Sequence, residues 1–347
     1  MIRIAWRQFR TAALVGLGAL AVVAAIVVIT RPHLVDLYDR TVATCADRGD
    51  CDAVEGTFLR TDRLLQDWLG IVVVVVPGLV GLFWGAPLVA KEIETGTFRL
   101  AWTQSITRRR WLAAKVGVVG LGAAVLAGGI SLLVTWWAQL LDRVGQDQFG
   151  LFDRRDLVPV GHALFGFALG VTIGTVVRRV LPALAGTLVV FVAVRLGVTL
   201  GLRPRLLHPS TRAFALDKVP LGFGSFDGGA PMMMPEAPRI PNAWIVSTEI
   251  VDRSGRPLTP SRLAELCPRL DQVGPPRAGG DGPTKAPDGV VDVFRQCTAT
   301  IGRTYHVAVG YQPAGRYWTL QWLEFGLYAA AALALVALCA WRIRRVR

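Results

Sequence analysis

Residues 68–115 read WLGIVVVVVPGLVGLFWGAPLVA and then, without a break, KEIETGTFRLAWTQSITRRRWLAAK. Trp68–Ala90 carries no charged side chain, whereas Lys91–Lys115 carries Lys91, Arg99, Arg108, Arg109, Arg110 and Lys115 against Glu92 and Glu94. Crossing a bilayer takes about 20 consecutive apolar residues in a helix. A backbone in hydrocarbon must satisfy its own hydrogen bonds, so such a segment is helical. Val116–Leu141 is again free of charge. Two spanning helices joined by a polar, aromatic and basic turn decide the class: an all-α polytopic membrane protein.

Four further stretches qualify: Thr11–Thr30, Leu157–Val177, Val180–Leu202 and Thr319–Trp341. Thr11–Thr30 has no charge, and the others hold only His162, Arg195 and Glu324 respectively. Six spans put both termini on one side. Composition agrees: hydrophobic residues make up 52% and charged residues 18%, below the roughly 25% charge of soluble domains. Mean hydropathy is +0.44. Disorder, a coiled coil and a soluble enzyme are excluded. The net charge of +13 invites a nucleic-acid reading, but the basic residues sit beside the spans and no nucleic acid is expected. Only Lys91, Lys115, Lys218 and Lys285 are lysine, and Asn242 is the single asparagine, a usage that suggests a GC-rich bacterial genome.

Basic residues set orientation, counted over short loops. The N-terminal segment (Arg3, Arg7, Arg10), the 91–115 segment, Arg178-Arg179 and the tail (Arg342, Arg344, Arg345, Arg347) alternate to share one side. Residues 31–67 hold five basic and eight acidic residues, and 142–156 hold three and four. Both termini are therefore expected in the cytoplasm of a bacterial cell, in a multi-pass protein of the cytoplasmic membrane. The segment 203–318 is long enough to translocate regardless of its charge.

Cys45 and Cys51 fall in one expected external loop and Cys267 and Cys297 in the other. Two local pairs point to disulfides in an oxidising compartment; four free thiols are the alternative. No histidine lies at ligand spacing beside either pair, so no metal is expected. Within 203–318, Ala243–Val251, Val290–Val293 and Thr304–Val309 are β-prone. Gly274–Gly289 reads as a Gly/Pro-rich connection. A small disulfide-pinned mixed α/β extracellular subdomain is expected there.

The opening MIRIAWRQFR sets Trp6 and Phe9 against Arg3, Arg7 and Arg10, as an amphipathic helix in the headgroup region would. In the 91–115 segment, Glu92, Glu94 and Gly96-Thr97 offer a turn with carboxylates. Leu100, Ala101 and Trp102 offer an apolar docking face, and Gly96 permits a break in the chain. This reads as a short docking helix for a soluble partner; an ordinary basic loop is the plainer alternative.

Here the chain resembles a known family. Glu92, Glu94, Gly96, Thr97, Leu100, Ala101, Ser105, Arg108 and Lys115 follow the pattern E-x-E-x-G-T, an apolar pair, S-x-x-R and a later lysine. That pattern is similar to the first cytoplasmic loop of ABC-2 type transporter permeases. The longer string FWGAPLVAKEIETGTFRLAWTQSITRRRWL resembles an actinobacterial group of them. Tyr311-Gln312-Pro313 through Trp318, Gln321-Trp322 and Glu324 resembles that group's approach to its last span. The 203–318 loop is longer than in compact members. The resemblance implies an exporter subunit that pairs with a second permease copy or a paralogue, with substrate passing near spans two and five. It implies a separate ABC ATPase that binds ATP and Mg and seats residues 92–110 in a groove. Glu92, Glu94, Gly96, Thr97, Leu100, Ala101, Ser105 and Arg108 would then carry coupling. No G-x-x-x-x-G-K-[ST] occurs in the chain, so no P-loop, no cofactor and no catalytic residue is expected here. The glycines of 117–122 read as helix packing.

Gly166, Gly170 and Gly174 mark one face of span four for close helix approach, within the subunit or at a subunit seam. Pro77 and Pro87 would kink span two, which is tolerated where neighbours satisfy the freed carbonyls. Arg195, the one charge deep in a span, either snorkels outward or faces a cavity. His162 and Glu324 read as interfacial residues. The expected organisation is an interfacial helix over 1–10, spans one to five over 11–202 with the coupling loop 91–115, an external subdomain over 203–318, and span six with a basic tail over 319–347. The other reading is a membrane-anchored sensing or interaction protein whose external loop binds a ligand; it would need a cytoplasmic signalling domain, which the sequence lacks.

Overall fold

The computed structural model describes residues 2–45, 51–96, 107–144, 148–224, 232–238, 240–270 and 290–345. Among these residues there are nine α-helical elements of seven residues or more, besides the 3-10 helix Gln148–Arg154. They are α1 (Ile2–Thr41), α2 (Asp52–Thr61), α3 (Arg63–Glu94), α4 (Arg108–Arg143), α5 (Val158–Val177), α6 (Val180–Leu206), α7 (Pro260–Leu266), α8 (Val290–Ile301) and α9 (Tyr317–Arg345). Six segments are long and apolar enough to span: Phe9–Thr41, Arg63–Glu94, Arg110–Arg143, Gln148–Val177, Val180–Leu206 and Ala314–Arg342. The protein is thus an all-α membrane protein of six spanning helices with a small sheet. The 33 residues of Phe9–Thr41 reach about 50 Å at 1.5 Å per residue. That exceeds a hydrocarbon core of about 30 Å, so this helix projects beyond it.

Two boundaries differ from expectation. Residues 2–10 are the first turns of α1 and not a helix with its own axis. No Gly or Pro interrupts Ile2–Val15, and Phe9 is buried edge-on against Trp84 of α3, ring centroids 4.8 Å apart. At the far end of the membrane region, Arg203–Leu206 still belongs to span five. The chain separates into two compact units, Met1–Leu207 with Gly315–Arg347, and His208–Ala314.

In the membrane unit, α5 is the central helix: most of its side chains are buried, and it packs on α3, α4, α6 and α9. Its glycine face lies directly on α3. A Cβ at Gly166 would come 2.8 Å from Pro77 O, one at Gly81 would come 2.6 Å from Gly166 O, and one at Gly170 would overlap Gly81 O and lie 2.7 Å from Ala86 N. These backbones touch because neither carries a side chain there. Both α3 and α6 contain a widened π-turn, Gly81–Gly85 and Gly197–Leu202, each ending two residues before a proline, Pro87 and Pro204. The helices take up the missing N–H donor by loosening their pitch and continue beyond it.

The second unit carries five strands: β1 (Ser210–Phe214), β2 (Leu221–Gly224), β3 (Met232–Pro235), β4 (Trp244–Asp252) and β5 (Tyr305–Gln312). A three-stranded antiparallel sheet has the order β1-β5-β4, and β2 pairs with β3 antiparallel. β4 and β5 coincide with the β-prone stretches at 243–251 and 304–309. Val290–Val293 does not form a strand; it opens the helix α8. The four-residue run is too short to reveal its period. Over twelve residues Phe294, Cys297 and Ile301 line one helical face, and Cys297 and Ile301 are buried with Leu263, Cys267, Val307 and Val309. Cys267 is joined to Cys297, and Cys45 to Cys51, with Cα–Cα distances of 5.5 and 5.6 Å. Gly274–Gly289 lies outside the described residues.

Candidate functional site

Six crossings place the termini, the α3–α4 connection and the α5–α6 turn at one end of the bundle. Of the motif residues there, Thr97, Leu100, Ala101 and Ser105 lie outside the described residues, and for Arg108 only the helical backbone at the start of α4 is described. Gly96 ends α3 with φ +72°, the left-handed conformation that glycine adopts without strain. The two carboxylates are engaged within the chain. Glu92 Oε1 pairs with Lys115 Nζ of α4, and Lys115 is only 5% exposed. Its ammonium also lies 4.9 Å from the centre of the Trp111 ring. Glu94 Oε2 accepts a 3.0 Å hydrogen bond from the backbone N–H of Val180, the first residue of α6. The motif thus joins the ends of α3, α4 and α6. Glu92 and Lys115 stand 23 positions apart on either side of the loop, a spacing that shows contact only when two antiparallel helices set it.

Arg195 is held against a neighbouring span. Its Nη1 donates a 2.8 Å hydrogen bond to Val74 O of α3. Pro77 has no N–H for the carbonyl of Val73, and Arg195 binds the carbonyl beside it, so a neighbour serves the proline-disturbed stretch of α3. Neither reading of Arg195 from sequence included this contact.

At the opposite end, ionic groups from four spans meet. Arg203 of α6 places Nε and Nη2 at 2.7 and 2.8 Å from the two oxygens of Glu324 of α9. Its Nη1 donates to Asp153 Oδ2 at 3.0 Å, Nη2 contacts Asp153 Oδ1, and the guanidinium lies 4.7 Å from the Phe152 ring centre. Arg155 Nη1 reaches both oxygens of Asp142 of α4 at 2.8 Å. Tyr317 of α9 donates to Asp156. Gln321 accepts from the N–H groups of Leu157 and Val158 at 3.1 and 3.0 Å and so caps α5. Thus His162 and Glu324 are not interfacial: they are 1% and 0% exposed. Glu324 is buried because Arg203 compensates it, and buried charges persist in apolar surroundings only when paired and hydrogen-bonded. The residues on 148–156 that complete this network were invisible as such in the sequence, although the E-x-x-x-Y spacing of Glu324 and Tyr328 puts both on one helical face.

Asp153, His162 and Glu324 each present a ligand atom within 4.8 Å of the others. The Arg203 guanidinium donates to both carboxylates, so a divalent cation there would have to displace it. The His162 ring stands edge-on to Tyr328 at 4.5 Å, with Nε2 3.7 Å from Glu324 Oε1. Among the described residues, neither imidazole nitrogen nor Tyr328 Oη has a hydrogen-bond partner. The arrangement is a clamp between spans, and it brings no nucleophile and base together.

Outside the spans, Asp252 closes the turn after β4 by accepting from Ser254 N, Ser254 Oγ and Arg256 N at 2.8, 2.6 and 3.0 Å. The Ser254 hydroxyl, followed by the Arg256 backbone N–H, holds its carboxyl below the usual carboxylate range.

Six spanning helices, three of them joined at one end by Glu92 and Glu94, and a buried polar clamp at the other end define a polytopic membrane protein. Residues 17–203, more than half of the chain, match the family described as ABC-2 membrane transporter related, and the protein belongs to that family. It is a permease-type transporter subunit. No curated protein and no solved structure matches the chain.

Proposed function

We propose that this chain is the membrane subunit of an exporter in a bacterial cytoplasmic membrane, driven by a separate ABC ATPase. The observation that carries the reading is the braced turn. The two long helices that flank residues 97–106 are joined near their ends by the Glu92–Lys115 pair, with Lys115 buried. In this reading Thr97, Leu100, Ala101, Ser105 and Arg108 carry the contact with the ATPase. Glu92 and Glu94 fix the helix ends that flank these residues without meeting the ATPase themselves, and Gly96 closes the first of those helices. ATP and Mg belong to the partner, which hydrolyses ATP while this chain moves. Two copies, or this chain and a paralogue, line the path, with both termini cytoplasmic and residues 208–314 outside.

The buried clamp supports a rigid half-transporter. Spans three to six, tied at this one end by Arg155–Asp142 and Asp153–Arg203–Glu324, move together there, as domain rotations about an interface require, while their loop ends follow the ATPase. The test is purification from the native membrane in mild detergent. An ATP-hydrolysing subunit should accompany the wild-type chain and be lost from Leu100→Asp, which puts a charge on the apolar docking face. Absence of any such subunit, or equal recovery with Leu100→Asp, would overturn the reading.

A further inference from the structure

The Glu94 contact joins the loop to a helix it does not flank. We infer that Glu94 is a positioning residue for transport, a latch through which displacement of residues 97–106 moves span five together with spans two and three. This rests on the ATPase-driven reading above. The Val180 N–H that Glu94 accepts is one of the donors left without an intrahelical partner at a helix start. Arg179, at the cap position, supplies no side-chain acceptor. A carboxylate is the favoured group there, because it satisfies the donor and faces the positive end of the helix dipole.

The turn between α5 and α6 cannot stretch to absorb a pull. It consists of Arg178 and Arg179 alone, with Arg178 at φ 61° and its N–H bonded to Gly174 O. Span five is otherwise lightly held over its first seventeen residues, where only Ala183, Thr187 and Phe191 are buried. Its second polar tie to α3 is Arg195 on Val74 O, fifteen residues further on and roughly 22 Å along the axis at 1.5 Å per residue. Glu94 and Arg195 therefore fasten α6 to α3 at two separated points, which makes the two helices one lever. Without the first point, the loop end of span five is free to lag behind span two.

The test uses the native complex of this chain with its ATPase in nanodiscs, spin-labelled at Leu181 of span five and Leu338 of span six, both exposed and both at the loop end, away from the Arg203–Glu324 clamp. ATP with vanadate should change the distance distribution in the wild type. Glu94→Ala should reduce the shifted population on the order of tenfold, the size of a lost helix cap, while ATP hydrolysis and ATPase recovery stay at wild-type levels. Glu94→Gln should retain the shift, since its amide oxygen still accepts from Val180 N–H. Lys91→Ala, exposed on the same helix, serves as control and should behave as wild type. A full shift in Glu94→Ala would overturn the latch, as would equal loss in Glu94→Gln. Loss of the ATPase itself from Glu94→Ala would make Glu94 a docking contact and overturn it too. A wild type with no ATPase and no nucleotide-dependent change would remove the transport reading and the latch together; a normal wild type with an indifferent Glu94→Ala removes only the latch.

Discussion

Substituting Gly170 by alanine adds one methyl where α5 and α3 touch. The new Cβ would overlap the carbonyl oxygen of Gly81 and lie 2.7 Å from Ala86 N and 3.0 Å from Gly85 C. All three are backbone atoms of the facing helix, so no side chain can rotate away. Ordinary contact needs about 3.5 Å, so the helices must part by roughly 1 Å or slightly more at this point. A gap of 0.5–1 Å forfeits roughly a quarter to a half of each contact's attraction. The neighbouring close approaches at Gly166 and Gly174 loosen with it, and overpacking of this kind costs about 1–3 kcal/mol. Gly197→Ala is the internal control: its Cβ meets nothing within 4 Å, and alanine in a helix is favoured over glycine by roughly 0.5–1 kcal/mol. The two single-methyl additions should therefore have opposite signs. Reversible unfolding in mixed detergent micelles, followed by tryptophan fluorescence, would measure both. Gly170→Ala as stable as wild type would show that the α3–α5 seam is looser than the backbone contacts described here, and the reasoning from close approach would fail.

Arg203→Met should destabilise the membrane unit by about 3–5 kcal/mol, because it strands buried Glu324 and Asp153 without a counter-charge; Arg203→Met with Glu324→Leu should recover much of that loss in the same unfolding assay. Replacing Cys267 and Cys297 by serine opens a link across a sequence separation of 30, worth about 3–4 kcal/mol by loop entropy, and should make residues 208–314 sensitive to limited proteolysis. Opening Cys45–Cys51, with a separation of 6, should cost closer to 2 kcal/mol. Asp252 has a depressed carboxyl, so its hold on the 252–256 turn is complete above about pH 4, the unfolded value, and fades as pH falls; the protection of the Gly255 amide relative to its intrinsic exchange rate should fall on acidification in the wild type and be low at every pH in Asp252→Ala.

The spans were legible in the sequence because hydrocarbon imposes a simple one-dimensional rule on the chain. Charge-free runs such as Trp68–Ala90 and Val116–Leu141 must be helical whatever their neighbours. The Gly166–Gly170–Gly174 face and the expectation that proline-freed carbonyls need partners were also readable, since both are properties of one helix. The turn between spans two and three was recognisable by its motif, but the contacts of its carboxylates were not. Glu92 and Glu94 look alike on paper, two residues apart and equally charged. One meets Lys115 and the other the start of α6 because helix rotation aims successive side chains about 100° apart. Val290–Val293 was misread for the complementary reason: the run is shorter than the period needed to tell strand from helix.

Sequence alone determined the number of spans, the position of the turn between spans two and three, and the family to which the motif belongs. These depend on apolar length and local spacing. Tertiary structure decided that His162 and Glu324 are core residues, that Arg203 belongs to the bundle, and that Arg195 serves Val74. Each of these is a charge or polar group whose meaning depends on its partner. The partners lie between 50 and 162 positions away, or 121 for Glu324 with Arg203. An isolated charge beside an apolar run reads as an interfacial residue, because exposure to water is the least costly environment the chain by itself can offer. Only the packed bundle supplies the opposite charge at hydrogen-bond distance that makes burial the better alternative.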